Sequence, residues 1–281
     1  MPRDILRTMQ RLVFFFLILV CRALPLAAME TGGEGVVQEI VDGDTLFLDD
    51  GRQVRLVGIQ APTLALGRRG FQAWPLAGDA NTALAGLALG KPVALSFGGA
   101  RRDRHGRLLA HLYLEDGLWI QGEMIARGMA RVYSFPDNRE LADEMLAQEE
   151  TAREEGRGIW NHAFYAVRSP DETEALVGSF QLVEGEVLSA AVVRGRGYLN
   201  FGNDYRSDFT ISIPPKSRRL FEKEGIDLSR LEGSRVRVRG WLKSFNGPMI
   251  EATHPEQIEI IGNPGMTDAP GSTEMTPEAQ Q

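Results

Sequence analysis

Five residues between Val41 and Thr63 could do chemistry together: Asp42, Asp44, Arg55, Gln60 and Thr63, in the stretch "VDGDTLFLDDGRQVRLVGIQAPT". Two carboxylates flank a glycine, and one arginine sits in an otherwise apolar run. Carboxylate oxygens can hold a hard cation, and a guanidinium offers a planar fork to phosphate. The stretch therefore points to phosphate handling. It then ends on Gln60 and Thr63, where a metal or a general base would want acids.

More cationic side chains follow. Arg68 and Arg69 lie in "TLALGRRGFQAWPLAG", and Arg101, Arg102, Arg104 and Arg107 in "GGARRDRHGR". Such clusters can take phosphates or serve solubility. The net charge of −7 gives no global pull towards nucleic acid, so any such contact must be local. The histidines, His105, His111, His162 and His254, form no pair at metal-ligand spacing and read as surface or packing residues.

These residues need elements to place them. Val36 to Ile40, Leu46 to Leu48 and Val54 to Ile59 read as strands, with a tight turn at Asp49 to Gly51. "DANTALAGLALG" reads as a short helix, and Val93 to Phe97 and Leu108 to Leu114 as two further strands. A helix is expected over Leu118 to Arg127. Another should start at "DNRE", where Asp137 and Glu140 have capping-box spacing. Along that helix Glu149, Glu150, Glu154 and Glu155 read as a solvated face. The predicted class is mainly β with helices (α+β): a five-stranded OB-fold-like barrel capped by helices, followed by a second OB-like β-barrel domain.

The motifs "VDGDT", "VRLVGIQAP", "DRHGRLLAHLY", "LWIQGEMIARGMARVY" and "GIW" come in the order and spacing of the thermonuclease (staphylococcal nuclease-like) family. The chain resembles that family over roughly residues 36–160. The resemblance implies Ca²⁺-dependent hydrolysis of DNA or RNA. Two aspartates and a backbone carbonyl would hold the ion, two arginines would clamp the phosphate, and a glutamate would activate water. On this chain the first metal carboxylate falls on Asp44, which would otherwise read as a turn residue. The carbonyl falls on Ala61, and the phosphate arginines fall on Arg55 and Arg107. The second metal aspartate falls on Gln60, and the catalytic glutamate on Thr63. Glutamine brings no charge, and threonine has no basic form near neutral pH. Loss of a general base costs about 10²–10⁴ in rate. Asp79 and Asp103 are the nearest acids that could substitute. Tyr133 stands where the family stacks aromatics near the nucleotide, and could equally be core. The expected partners are DNA or RNA, single-stranded by preference, or another anionic ligand.

Before and after this region the sequence suggests further parts. Arg3, Arg7 and Arg11 precede the apolar run Leu12 to Val20, and Ala27 and Ala28 follow, the order of a signal peptide over residues 1–28. Export to the periplasm or medium is the expectation. The apolar run is shorter than the roughly 20 residues a spanning helix needs. The single cysteine, Cys21, falls inside this segment. The nuclease-like domain should cover 33–165, "RSPDETE" should be a linker, and the second barrel should cover 174–262. Its alternating Arg235, Arg237 and Arg239, with Tyr198, Phe201, Tyr205 and Arg206, suit single-strand binding or the docking of a protein partner. The tail, 263–281, has little to bury and reads as disordered.

Overall fold

A computed structural model describes residues 29–262. The expected signal peptide and tail lie outside the described residues. Strand β1 (Glu30–Asp42) is long and irregular, and it serves two neighbours. Its first half pairs with β5 (Pro92–Phe97) and its second half with β2 (Thr45–Leu48). β2 pairs with β3 (Gln53–Leu56), which runs parallel to β6 (Leu108–Leu114), and β6 returns to β5. The ring closes in the order β1-β2-β3-β6-β5. Alternating residues such as Leu46, Leu48, Val54, Leu56, Leu95 and Leu112 fill it.

The predicted third strand, Val54 to Ile59, is broken in two. Gly58, at φ 81°, turns the chain into the short β4 (Ile59–Gln60). A side chain there would also strike Met145. β4 pairs with β7 (Arg131–Val132), away from the barrel. Helices α1 (Ala77–Ala88), α2 (Ile120–Ala126) and α3 (Ala142–Glu154) cover the core. The capping box expected at Asp137 and Glu140 does not start α3. The helix begins after Leu141 at φ 58°, with no side-chain cap. Asn138 and Arg139 are instead tied into the preceding turn and to the second unit.

The second unit repeats this plan. β8 (Phe180–Glu186) pairs with β12 (Arg235–Ser244), and β9 (Ser189–Val193) with β10 (Arg196–Asn200). β10 pairs with β11 (Thr210–Ile213), which runs parallel to β13 (Pro248–Glu251), and β13 returns to β12. Its ladders form a seven-stranded sheet, not the closed ring of the first unit. If β8 and β9 are taken as halves of one strand interrupted at Val187 and Leu188, the neighbour order is that of the first barrel. Helix α4 (Pro215–Lys223) lies between β11 and β12, and β14 (Ile258–Gly262) pairs with β12.

The expected linker is not loose. Ser169 and Glu172 form a capping box on a short 3-10 turn, and Arg168 bridges to Val183. Its backbone both donates to Leu182 and accepts from Glu184.

Candidate phosphate and metal site

Gly43 brings the Asp42–Asp44 turn against the rest of the fold, since a Cβ there would collide with Ala61 and Ala80. The close approach lets Asp44 Oδ2 accept the Ala61 amide at 2.9 Å, while Oδ1 accepts the Thr45 hydroxyl at 3.0 Å. Register places Arg55 opposite Thr45 on β2. Its guanidinium reaches Asp44 Oδ2 at 3.1 Å and donates to the carbonyls of Leu56 at 2.7 Å and Ile59 at 2.8 Å. Asp42 accepts from the amides of Gly43 and Leu64. Burial, with the Asp44 charge beside it, raises the Asp42 carboxyl above its ordinary range. Asp44 and Arg55 thus meet directly, and the backbone locks both.

Arg107 sits in the turn just before β6. On the strand that follows, Leu109 pairs with Arg55. The Arg107 fork is engaged by Asp103, with Nε 2.7 Å and Nη2 2.6 Å from Oδ2. Burial works to raise Asp103, but the Arg107 hydrogen bonds hold its carboxyl below the usual range. Asp103 is therefore a partner of Arg107. Asp79 is exposed in the first turn of α1.

Gln60 is where the structure departs most from the expectation. Its Oε1 accepts two N–H groups of Arg131, Nε at 3.0 Å and Nη2 at 2.8 Å. Arg131 is 4% exposed and pairs across β4–β7 with Gln60 itself. Thr63 is half-buried, and its carbonyl accepts the Trp74 amide.

The outer arginines spread along the surface. Arg68 caps the carbonyls of Leu64 and Ala65 and lies 3.9 Å over the Phe71 ring. Arg101 pairs with Glu30, Arg102 donates to the Gly106 carbonyl, Arg104 bonds His105, and Arg69 is exposed. Tyr133 turns towards the second unit, not to this site. Its hydroxyl accepts from Trp241, and its ring packs edge-on to Phe180.

Over residues 53–162 the chain matches the family model described as staphylococcal nuclease homologue. A protein of Escherichia coli O157:H7 named as an uncharacterized endonuclease is 32% identical over 132 residues, which cover 46% of this chain and 78% of that relative. The chain belongs to the staphylococcal nuclease homologue family. Endonuclease YncB of Bacillus subtilis (strain 168) is 31% identical over 130 residues, 44% of this chain and 60% of that protein. Endonuclease YhcR of the same organism is 27% identical over 158 residues, 50% of this chain and 12% of that protein.

Nucleases of this family are generally Ca²⁺-dependent. The donor set here does not fit such an ion. Asp44 is already paired with Arg55, and the Gln60 oxygen is turned to a guanidinium. Among the described residues no group of three or more acids, histidines or cysteines could hold a metal. Calcium wants six to eight oxygens, several of them charged. The Ala61 carbonyl and one neutralised carboxylate fall short of that.

Sequence reasoning missed Arg131. The signal was available in "ARVY", where a charge falls in an apolar run. It also placed Glu149 in solvent and left Arg235, Arg237 and Arg239 to nucleic acid or a protein partner. The structure corrects both. Glu149 is fully buried and binds Arg239 twice, at 2.8 and 3.1 Å. The three arginines do share a strand face, but Glu184, Glu259 and Glu149 occupy it.

Proposed function

We propose that the protein is an exported nuclease-fold protein that engages the phosphodiester backbone of DNA or RNA through Arg55 and Arg107, with metal-dependent hydrolysis weak or lost. The observation that carries this reading is the bidentate hold of Arg131 on Gln60. A cation is fixed against the position where the family's reaction needs a second carboxylate. Thr63 adds no base. A phosphate can engage Arg55 and displace Asp103 from the Arg107 fork. The exposed Arg68, Arg69, Arg101, Arg102 and Arg104 would add a salt-sensitive attraction, strongest for a flexible single strand. Export rests on the charged, apolar and small-residue order of the first 28 residues. Among the described residues no helix is long and apolar enough to cross a membrane.

The test uses the mature chain with labelled single-stranded DNA and RNA, in Ca²⁺ and in chelator. Binding should weaken steeply with salt and fall several-fold in Arg107→Ala, while chelator leaves any cleavage unchanged. Rapid Ca²⁺-dependent cleavage that disappears in Asp44→Ala would overturn the reading. Installing acids by Gln60→Asp with Thr63→Glu should not restore calcium-dependent cleavage, because the new carboxylate would pair with Arg131. Adding Arg131→Met to that pair should raise cleavage by at least ~10².

A further inference from the structure

A cavity of about 390 Å³ lies where the two units meet, within the range of small-molecule sites. Trp74, Phe71 and Phe164 line it from the first unit and its following turns, and Phe180 and Trp241 from the second. Phe164 and Trp241 are each more than 40% exposed, so the cavity opens to solvent. Two arginines join these rings in its lining, Arg131 and Arg168.

Arg131 is a buried cation with no carboxylate within ion-pair distance among the described residues. Its hydrogen-bond acceptors are neutral: Gln60 Oε1 and the Phe180 carbonyl at 3.3 Å. The Phe180 ring, 4.4 Å from the guanidinium carbon, offers its π face but no charge. Three of its five N–H groups are used in these bonds, so two remain. Arg168 adds a second donor. Its Nε is buried with no hydrogen-bond partner, while its terminal nitrogens reach the Ala163 carbonyl and Glu172. Buried polar groups are ordinarily satisfied, and a lone buried charge is costly. Both arginines line the cavity together with the aromatic rings.

We propose that this cavity binds a mononucleotide, with its phosphate on Arg131 and Arg168 and its base against the aromatic rings. A guanidinium prefers phosphate to other anions of that size because its fork matches two oxygens. Base-on-ring stacking is worth about 1–3 kcal/mol per base. The walls come from both units, so a bound nucleotide also bridges them. The inference does not rest on cleavage or on the Arg55–Arg107 site, although Gln60 links the two places.

The experiment is titration of the full chain with adenosine 5′-monophosphate, followed by tryptophan fluorescence and calorimetry. Inorganic phosphate and adenosine serve as half-ligands. Trp74 and Trp241 stand in the cavity, so saturable quenching by the nucleotide is expected, with each half-ligand at least tenfold weaker. Arg131→Met and Trp241→Leu should each weaken binding tenfold or more. Arg168→Gln, on a half-exposed side chain, gives a variant whose folding is not in question and should cost several-fold. Arg230→Ala, on a well-exposed side chain outside the cavity lining, should leave nucleotide affinity within twofold. Absence of saturable binding overturns the proposal. So does binding that Arg55→Ala abolishes and Arg131→Met spares, which would put the nucleotide in the family site. Oligonucleotide binding lost in Arg55→Ala, with no mononucleotide bound anywhere, would leave the proposed function standing and remove this one.

Discussion

Arg131 and Arg239 are the same residue type at nearly the same depth, 4% and 1% exposed, and they answer burial in opposite ways. Arg239, on β12, meets two carboxylates, Glu149 and Glu259, and also donates to the Val132 carbonyl. Burial alone would lower its pKa, but the two acids overcome that and raise it. Arg131, on β7, meets only an amide and a carbonyl, and burial takes its pKa down to about 10. It still carries its proton at neutral pH. One arginine is a tie that fastens the second unit to α3. The other is a charge beside a cavity with no carboxylate at ion-pair distance, only the more distant Glu149, which is what a site for an incoming anion needs.

The largest effect should come from cutting the tie. Glu149→Ala removes the acid of a buried pair and strands Arg239, and it also takes the acceptor from the Val132 amide. Breaking a buried pair on one side costs about 3–5 kcal/mol. Denaturant unfolding should show that loss. A loss under 1 kcal/mol would mean that Arg239 is not a tie.

Next comes acid. His254 is 1% exposed and bonds Ser134 of the first unit at 2.8 Å, with Glu256 and Arg139 close by. Burial lowers its pKa to about 4. Between the ordinary value of 6.5 and 4, the unfolded chain holds this proton and the folded chain does not. Stability is therefore complete above 6.5 and falls as pH drops through that window. From pH 7.5 to 5 the loss attributable to His254 is about 2 kcal/mol. His111, also lowered to about 4 by burial, adds its own share. His254→Gln should therefore flatten the curve by about 2 kcal/mol, measured as the change in unfolding free energy between those pH values. A parallel curve would show that the ring is not buried in solution.

The tie and the open arginine differ in how far they could be read from the sequence. The first barrel was legible because its strands are short alternating runs punctuated by Asp-Gly turns, and the observed bounds of β2, β5 and β6 follow those runs. The Asp44–Arg55 contact was not legible, since the two residues were named only as separate positions of one site and it is the β2–β3 register that brings them together. Nor was Glu149. On a helix, a glutamate beside Glu150 reads as solvent-facing unless one knows that a strand 90 residues later delivers Arg239. Arg235, Arg237 and Arg239 had the correct shared face but the wrong partner, since alternation says which residues face together and not what they face. Gln60 read as standing where an acid is expected. That its oxygen would be taken by Arg131 depends on the β4–β7 pairing, which the broken third strand concealed.

The smallest stability effect should fall on the residue with the largest proposed ligand role. Arg131→Met removes a buried charge that has no acid to strand, and a methionine fills much of the same apolar space between Trp74 and Phe180. Replacing buried ions by apolar groups is often neutral or stabilising. Against that stand the Gln60 amide oxygen and the Phe180 carbonyl, which lose donors at about 1 kcal/mol each. The half-exposed Gln60 can recover water, so the net change should stay within about 1 kcal/mol of zero. Denaturant midpoints of this variant and of Glu149→Ala, taken side by side, give the contrast directly. If Arg131→Met destabilises as much as Glu149→Ala, Arg131 is a second structural tie, and a cavity ligand would have no unpaired charge to find.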